Sequence, residues 1–194
     1  MWALFQRRNW MLSSKRHSDL KISARHKCNV FAGAILLISA IVLFALPPAA
    51  LAALKKGQPA PPLKVTTTSG QPVTLGNYQG RVLLLDFFAS WCHPCVVSIP
   101  HLIDINRKYG RQGLHVLGLS LDEENEDLLD FIRPKKLNYP VALADEELQT
   151  SYGLRSIPTL VLIDKKGIIA GIFMGLNDQS AKKIEVTIKS LLAE

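Results

Sequence analysis

The sequence predicts an α/β domain, a mixed central sheet flanked by helices, on three observations. Strand-like and helix-like segments alternate from about residue 66 onward, Val82-Leu83-Leu84-Leu85 is a continuous apolar run of the kind buried on both faces, and the chain closes with a hairpin and an amphipathic helix. In order, Thr66 to Leu75 reads as a short hairpin around Ser69-Gly70, and Arg81 to Ala89 as the buried strand. Cys92 to Tyr109 carries apolar residues at Val96, Ile99, Leu102, Ile103 and Tyr109, a helical spacing that Gly110 stops. Leu114 to Leu121 is a second buried strand. Glu123 to Ile132 is a helix with Asp122 as its expected cap and acids in its first turn. Tyr139 to Leu143 is a short strand and Glu146 to Tyr152 a short helix ended by Gly153. Thr159 to Ile163 and Ile168 to Phe173 bracket a Lys165-Lys166-Gly167 turn, and Asp178 to Leu192 is the closing helix.

The segment ahead of this domain has a different composition. The 194 residues carry a net charge of +7, yet seven basic residues and one acid lie before residue 30, and 16 basic against 15 acidic residues follow from Ala53 onward. A basic nucleic-acid-reading surface on the folded part therefore has little support, and no nucleic-acid partner is expected. Val30 to Leu46 is apolar except for Gly33 and Ser39, and Pro47-Pro48 and a run of small residues follow it. Basic flank, apolar run and small residues form the order of an export signal whose positive side stays in the cytoplasm. Residues 1–29 are thus expected to be a basic cytoplasmic segment and 30–53 a membrane anchor or signal segment, with Ala50-Leu51-Ala52 as a site where a signal could be cut. Pro-rich residues 54–64 read as an extended linker, and 65–194 as the domain, on the extracytoplasmic or periplasmic side. Cys28 precedes the apolar run, which leaves Cys92 and Cys95 as the only cysteines of the folded part.

Trp91-Cys92-His93-Pro94-Cys95 falls where the buried strand hands over to a helix. Two intervening residues in a helical turn bring the sulfurs within reach of a disulfide. Cys92 then sits at a helix N-terminus, where free N–H groups and the macrodipole stabilise a thiolate, the attacking species in disulfide exchange. Pro94 occupies the first turn, where its missing N–H costs nothing. A protonated His93 lowers the Cys92 pKa further, and a neutral one is a polar surface residue. A structural zinc site needs four ligands, and neither His101 nor His115 has ligand spacing to the pair, so no metal is expected. A copper-handling module using the pair and a histidine, and a disulfide-forming oxidase, are the alternatives to a dithiol reductant. Asp122-Glu123-Glu124-Glu126-Asp127 lacks the glycine and distal glutamate of a calcium loop and reads as a solvated helix start.

The motif after Asp86-Phe87-Phe88-Ala89-Ser90 resembles the thioredoxin family, whose W-C-x-P-C lies on the same strand-to-helix turn. Asp86, six residues before Cys92, matches the buried acid that relays a proton with the second cysteine. Pro100 matches the proline that kinks the active-site helix, and Ser156-Ile157-Pro158-Thr159 matches the loop that carries a cis-proline against the sulfurs. The resemblance spans about residues 57–194 and implies a thioredoxin-like fold. The N-terminal segment, the early hairpin and the αβ insertion from about Asp122 to Tyr152 are similar to the TlpA-like branch of membrane-tethered extracytoplasmic reductases, several of which serve cytochrome c maturation. This chain has Ser98 where many of that branch have Glu, and Asp86 where many have Asn. The resemblance implies Cys92, Cys95 and Asp86 as catalytic residues, and Trp91, His93, Pro94, Ile157 and Pro158 as the substrate-binding rim. It implies no cofactor beyond a redox-active Cys92–Cys95 disulfide. The implied partners are disulfide-containing exported polypeptides, apocytochrome c among the candidates, and a transmembrane thiol reductase as electron donor. A peroxidase, whose cysteine follows Pro and Thr/Ser by four and three residues, is disfavoured by Phe88 and Ala89 at those positions.

Overall fold

A computed structural model of the chain describes residues 54–194. Residues 1–29, expected as a basic cytoplasmic segment, and 30–53, expected as a membrane anchor or signal segment, lie outside the described residues. Among those described, no helix is long and apolar enough to cross a membrane.

Among the described residues, seven strands and four α-helices follow in chain order: β1 (Lys64–Thr66), β2 (Pro72–Thr74), β3 (Val82–Phe88), α1 (His93–Tyr109), β4 (Leu114–Ser120), α2 (Asn125–Ile132), β5 (Val141–Leu143), α3 (Glu146–Ser151), β6 (Thr159–Ile163), β7 (Ile169–Met174) and α4 (Asp178–Ala193). The last five strands form one sheet in the order β5-β4-β3-β6-β7. β4 runs parallel to both β3 and β5, whereas β6 is antiparallel to β3 and β7, so the sheet is mixed as expected. The apolar run has the predicted place: β3 is central and buried along its whole length.

Alternation along β3 divides the core into two layers. Val82, Leu84 and Phe88 pack with Leu102, Ile105 and Tyr109 of α1, with Leu128 of α2, and with Ile184 and Ile188 of α4. Leu83, Leu85 and Phe87 face the other way, onto Leu148 of α3, Tyr152 and Leu63. The short β1–β2 hairpin pairs antiparallel around Ser69-Gly70 and is tied to β5 by the Thr68 N–H, which donates to the Val141 carbonyl at 2.8 Å. The insertion consists of α2, β5 and α3.

Three local expectations are revised. The Pro-rich lead-in is extended but not a free linker. Gly57 N–H donates to the Ile169 carbonyl at 2.8 Å, Ile169 N–H to Gln58 at 2.9 Å and Ala60 N–H to Gly167 at 2.9 Å, while Leu63 is buried in the core. An edge strand offers unpaired backbone groups, and this segment takes up those at the start of β7. Gly110 closes α1 in right-handed conformation and the chain continues as a 3₁₀ turn; Gly113, with φ of +107°, makes the reversal that only glycine adopts without strain. Asp122 does not cap α2, which begins after Glu124 with no side-chain cap. It is buried and turned toward the motif, as described next.

Candidate active site

Cys92 and Cys95 stand at the C-terminal end of β3 and form a disulfide with a Cα–Cα separation of 5.2 Å. Cys92 is the N-cap of α1, and its Sγ accepts the Cys95 N–H at 3.2 Å. This is the orphan-donor position at which a helix favours negative charge, so the thiolate formed on reduction meets a preformed donor. The two sulfurs have unequal access: Cys92 retains 6% exposure and Cys95 none. Any substrate therefore meets Cys92. His93 and Pro94, on the outer side of the first turn, are exposed.

Asp86 is fully buried in the middle of β3, with Gly118 of β4 and Leu160 of β6 as cross-strand partners. By strand alternation its side chain faces with Leu84 and Phe88, toward the layer that also contains Cys92 and Cys95. Neither carboxyl oxygen has a hydrogen-bond partner among the described residues. Desolvation alone pushes its pKa up from 3.8 to about 7. The same layer holds Tyr139, whose phenol is pushed upward by burial and secondarily by Asp86. Gly118 keeps this corner open, because a Cβ there lies 3.1 Å from Phe88 and 3.5 Å from Tyr139. A buried carboxyl with no partner among the described residues, facing the layer that holds the Cys92–Cys95 disulfide, is able to take or give a proton in that layer.

The opposite wall is the loop before β6. The Ile157–Pro158 peptide is cis and Pro158 is buried. Thr159 Oγ1 donates to the Ser156 carbonyl at 2.7 Å, and Gly175 N–H, just past β7, donates to the Pro158 carbonyl at 2.7 Å. Ile157 packs against the cluster that holds both cysteines. Trp91 is 70% exposed and lines, with Ile157, Ser156, Arg155 and the α3 residues Glu146 and Gln149, a cleft of about 530 Å³. Trp91 is thus surface and not core, beside the loop expected to share its rim.

Ser98 stands where the resemblance leads one to expect Glu. It is buried, and its Oγ donates to the Cys95 carbonyl at 2.7 Å, a local bond that uses up its hydroxyl. Pro100 lies inside α1, where it removes one helical bond.

Asp122 is the site residue that sequence reasoning missed. Its carboxylate accepts the Ser90 N–H at 3.1 and 3.2 Å, the Ser90 hydroxyl at 2.7 Å and the Ser120 hydroxyl at 2.5 Å. It clamps the residue before Trp91-Cys92 to the end of β4. The available signal was the alternation Ser120-x-Asp122 continuing past an apolar strand, which keeps both on one face; the acids after it concealed that signal. Among the described residues, no group of three or more His, Cys, Asp or Glu side chains is placed to hold a metal ion.

Comparison with known proteins agrees with this geometry. The family model described as the AhpC/TSA family matches residues 56–172. A thiol-disulfide oxidoreductase ResA of Bacillus thuringiensis subsp. konkukian is 29% identical over 136 residues, 70% of this chain and 78% of that protein. The crystal structure of a thiol:disulfide interchange protein DsbE from Chlorobium tepidum superposes with a TM-score of 0.69 at 30% identity, covering 72% of this chain and 99% of that one. The solution structure of a protein disulfide isomerase from Bacteroides thetaiotaomicron gives a TM-score of 0.67 at 28% identity, covering 73% and 92%. The chain belongs to the AhpC/TSA family and is, within it, a thiol–disulfide oxidoreductase of thioredoxin-like fold.

Proposed function

We propose that this oxidoreductase is membrane-tethered, faces the extracytoplasmic side, and reduces disulfides in exported polypeptides. The observation that carries the reading is the stacking of three groups: an accessible sulfur on a helix N-terminus, a buried second sulfur, and a buried partnerless carboxyl facing the same layer. In the dithiol form the Cys92 thiolate attacks one sulfur of a substrate disulfide, forms a mixed disulfide and expels the substrate's other sulfur as a thiolate. Asp86 accepts the proton of Cys95. The Cys95 thiolate then attacks Cys92 Sγ and releases the second substrate thiolate, which closes the Cys92–Cys95 disulfide. Two electrons pass from the dithiol to the substrate, and the two substrate thiolates are protonated from solvent and from Asp86. Trp91, Pro94, Ile157 and Pro158 form the wall along which an extended polypeptide lies, and His93 is an exposed polar side chain at the entrance.

The tether is the apolar run 30–46 behind its basic flank, and the electron donor a transmembrane thiol reductase that returns the disulfide to the dithiol. Apocytochrome c is one candidate substrate. The printed names of the relatives support thiol–disulfide chemistry, and the sequence order around residues 30–53 supports export. The decisive experiment is Cys95→Ala in cells, which arrests the cycle at the mixed disulfide. Recovery of exported disulfide proteins bound through Cys92 is expected, and absence of any trapped partner overturns the reading. Measurement of the reduction potential separates the directions: a value near that of strong oxidants, about −120 mV, makes the protein an oxidase instead.

A further inference from the structure

The redox domain's near-neutral charge conceals a strong asymmetry. Residues 122–152, which form the insertion at the β5 edge, hold nine acidic and three basic residues, whereas the rest of residues 54–194 holds six acidic and thirteen basic. Part of that excess is gathered at the other edge of the sheet. There a groove of about 700 Å³ over β7 is lined by Leu54, Lys55 and Lys56 from the lead-in and by Lys182, Lys183 and Val186 from α4, with no acidic residue in its wall. Val186 is 67% exposed, and none of the four lysines is in an ion pair among the described residues.

We propose that this groove is a docking face for an anionic phospholipid surface, with the four ammonium groups on headgroup phosphates and Leu54 and Val186 at the interface. The inference rests on the membrane-tether part of the proposed function and not on the redox chemistry. Only residues 47–53 separate the apolar run 30–46 from Leu54, which lies in the groove wall; fully extended they span at most about 25 Å. A tether this short holds the lysines at high effective concentration against the bilayer, so a patch too weak to bind from solution is sufficient. The acidic insertion at the opposite edge is repelled by the same surface, and the two effects act together to orient the domain.

The test uses the full chain reconstituted in phosphatidylcholine vesicles with and without phosphatidylglycerol. Lysines are acetylated briefly with a water-soluble reagent and quantified by mass spectrometry. Modification of Lys55, Lys56, Lys182 and Lys183 is expected to fall roughly threefold or more on the anionic vesicles and to recover at high salt, because the Debye length shrinks from about 10 Å at 0.1 M to about 3 Å at 1 M. Lys135 and Lys136, within the acidic insertion, remain unchanged. Equal reactivity on both vesicle types, or uniform protection of all lysines, overturns the proposal. The double variant K182E/K183E is expected to abolish the lipid-dependent protection of Lys55 and Lys56 while insulin reduction stays unchanged; K55E/K56E, read at Lys182 and Lys183, replaces it should the first fail to fold. Alkaline carbonate tests the tether separately. A chain that washes out yet is protected only on anionic vesicles retains the docking face and loses the tether, and one that washes out unprotected loses both.

Discussion

The two sides of the dithiol contrast sharply. On the inner side, Cys95, Asp86 and Phe88 are cut off from water, and the Asp86 carboxyl has no hydrogen-bond partner among the described residues. On the outer side, Trp91, His93 and Pro94 stand in solvent around a sulfur that remains just reachable. In the proposed mechanism this contrast separates the tasks: the outer half selects and aligns a substrate, and the inner half sets the timing of resolution through a proton that only burial makes available near pH 7. Substitutions on the two sides should therefore move different observables.

The largest effects break the chemistry itself. Cys92→Ser should lose insulin-reductase activity by at least about 10³-fold, whereas Cys95→Ala loses turnover but accumulates a Cys92-linked mixed disulfide visible on non-reducing gels. Asp86→Asn comes next. Removal of the base should slow release from the mixed disulfide by about 10²-fold and erase the limb of the rate–pH profile near 7.

The same substitution acts on stability with a definite sign. The Asp86 carboxyl titrates at about 7 when folded against 3.8 when unfolded, so the folded state holds the proton more tightly. Stability is undiminished below about pH 4, declines as pH rises toward 7, and is then lower by a constant amount on the order of 4 kcal/mol. Asp86→Asn should accordingly raise Tm at pH 8 relative to the parent, with the difference shrinking toward pH 4. A pH-independent difference would show that the carboxyl is not neutral in the folded state.

A smaller effect is expected at the clamp. Asp122→Ala leaves the Ser90 N–H and the two serine hydroxyls without their acceptor, at a cost of about 1–3 kcal/mol in denaturant unfolding. Activity should fall about tenfold as the Trp91-Cys92 turn loosens, with the pH limb due to Asp86 unmoved. Trp91→Ala should be the mildest. An exposed residue changes stability by no more than about 0.5 kcal/mol, so the loss should appear as a raised KM for polypeptide disulfides with little change for a small-molecule disulfide. A change in Tm comparable to that of Asp122→Ala would place Trp91 in the structural half and undo the contrast.

Those elements whose causes are local were legible in the chain. The apolar run of β3, the strand-to-helix turn at Trp91–Cys95, the Pro94 position and the hairpin at Lys165-Lys166-Gly167 follow from spacing and backbone preferences that act over a few residues. Asp86 was legible through the family resemblance, supported by the leucines before it, which point to burial at that position. Asp122 was not, because its partner Ser90 is 32 residues away and its neighbours Glu123 and Glu124 present an ordinary helix start. The proline-rich lead-in is extended as expected but docked on the domain and not simply a linker, since the bonds that hold it come from the turn before β7 and the start of β7, more than a hundred residues further on.

The sequence by itself thus determined the identity and order of the reactive groups, because a helix N-terminus, a two-residue spacing and a buried strand are short-range properties of the chain. Only the tertiary structure decided which carboxylate clamps the motif, which sulfur faces solvent, and that a nearly neutral domain carries its charges on opposite edges. These depend on which strands become neighbours, and strand order is a long-range outcome of packing two apolar layers around β3.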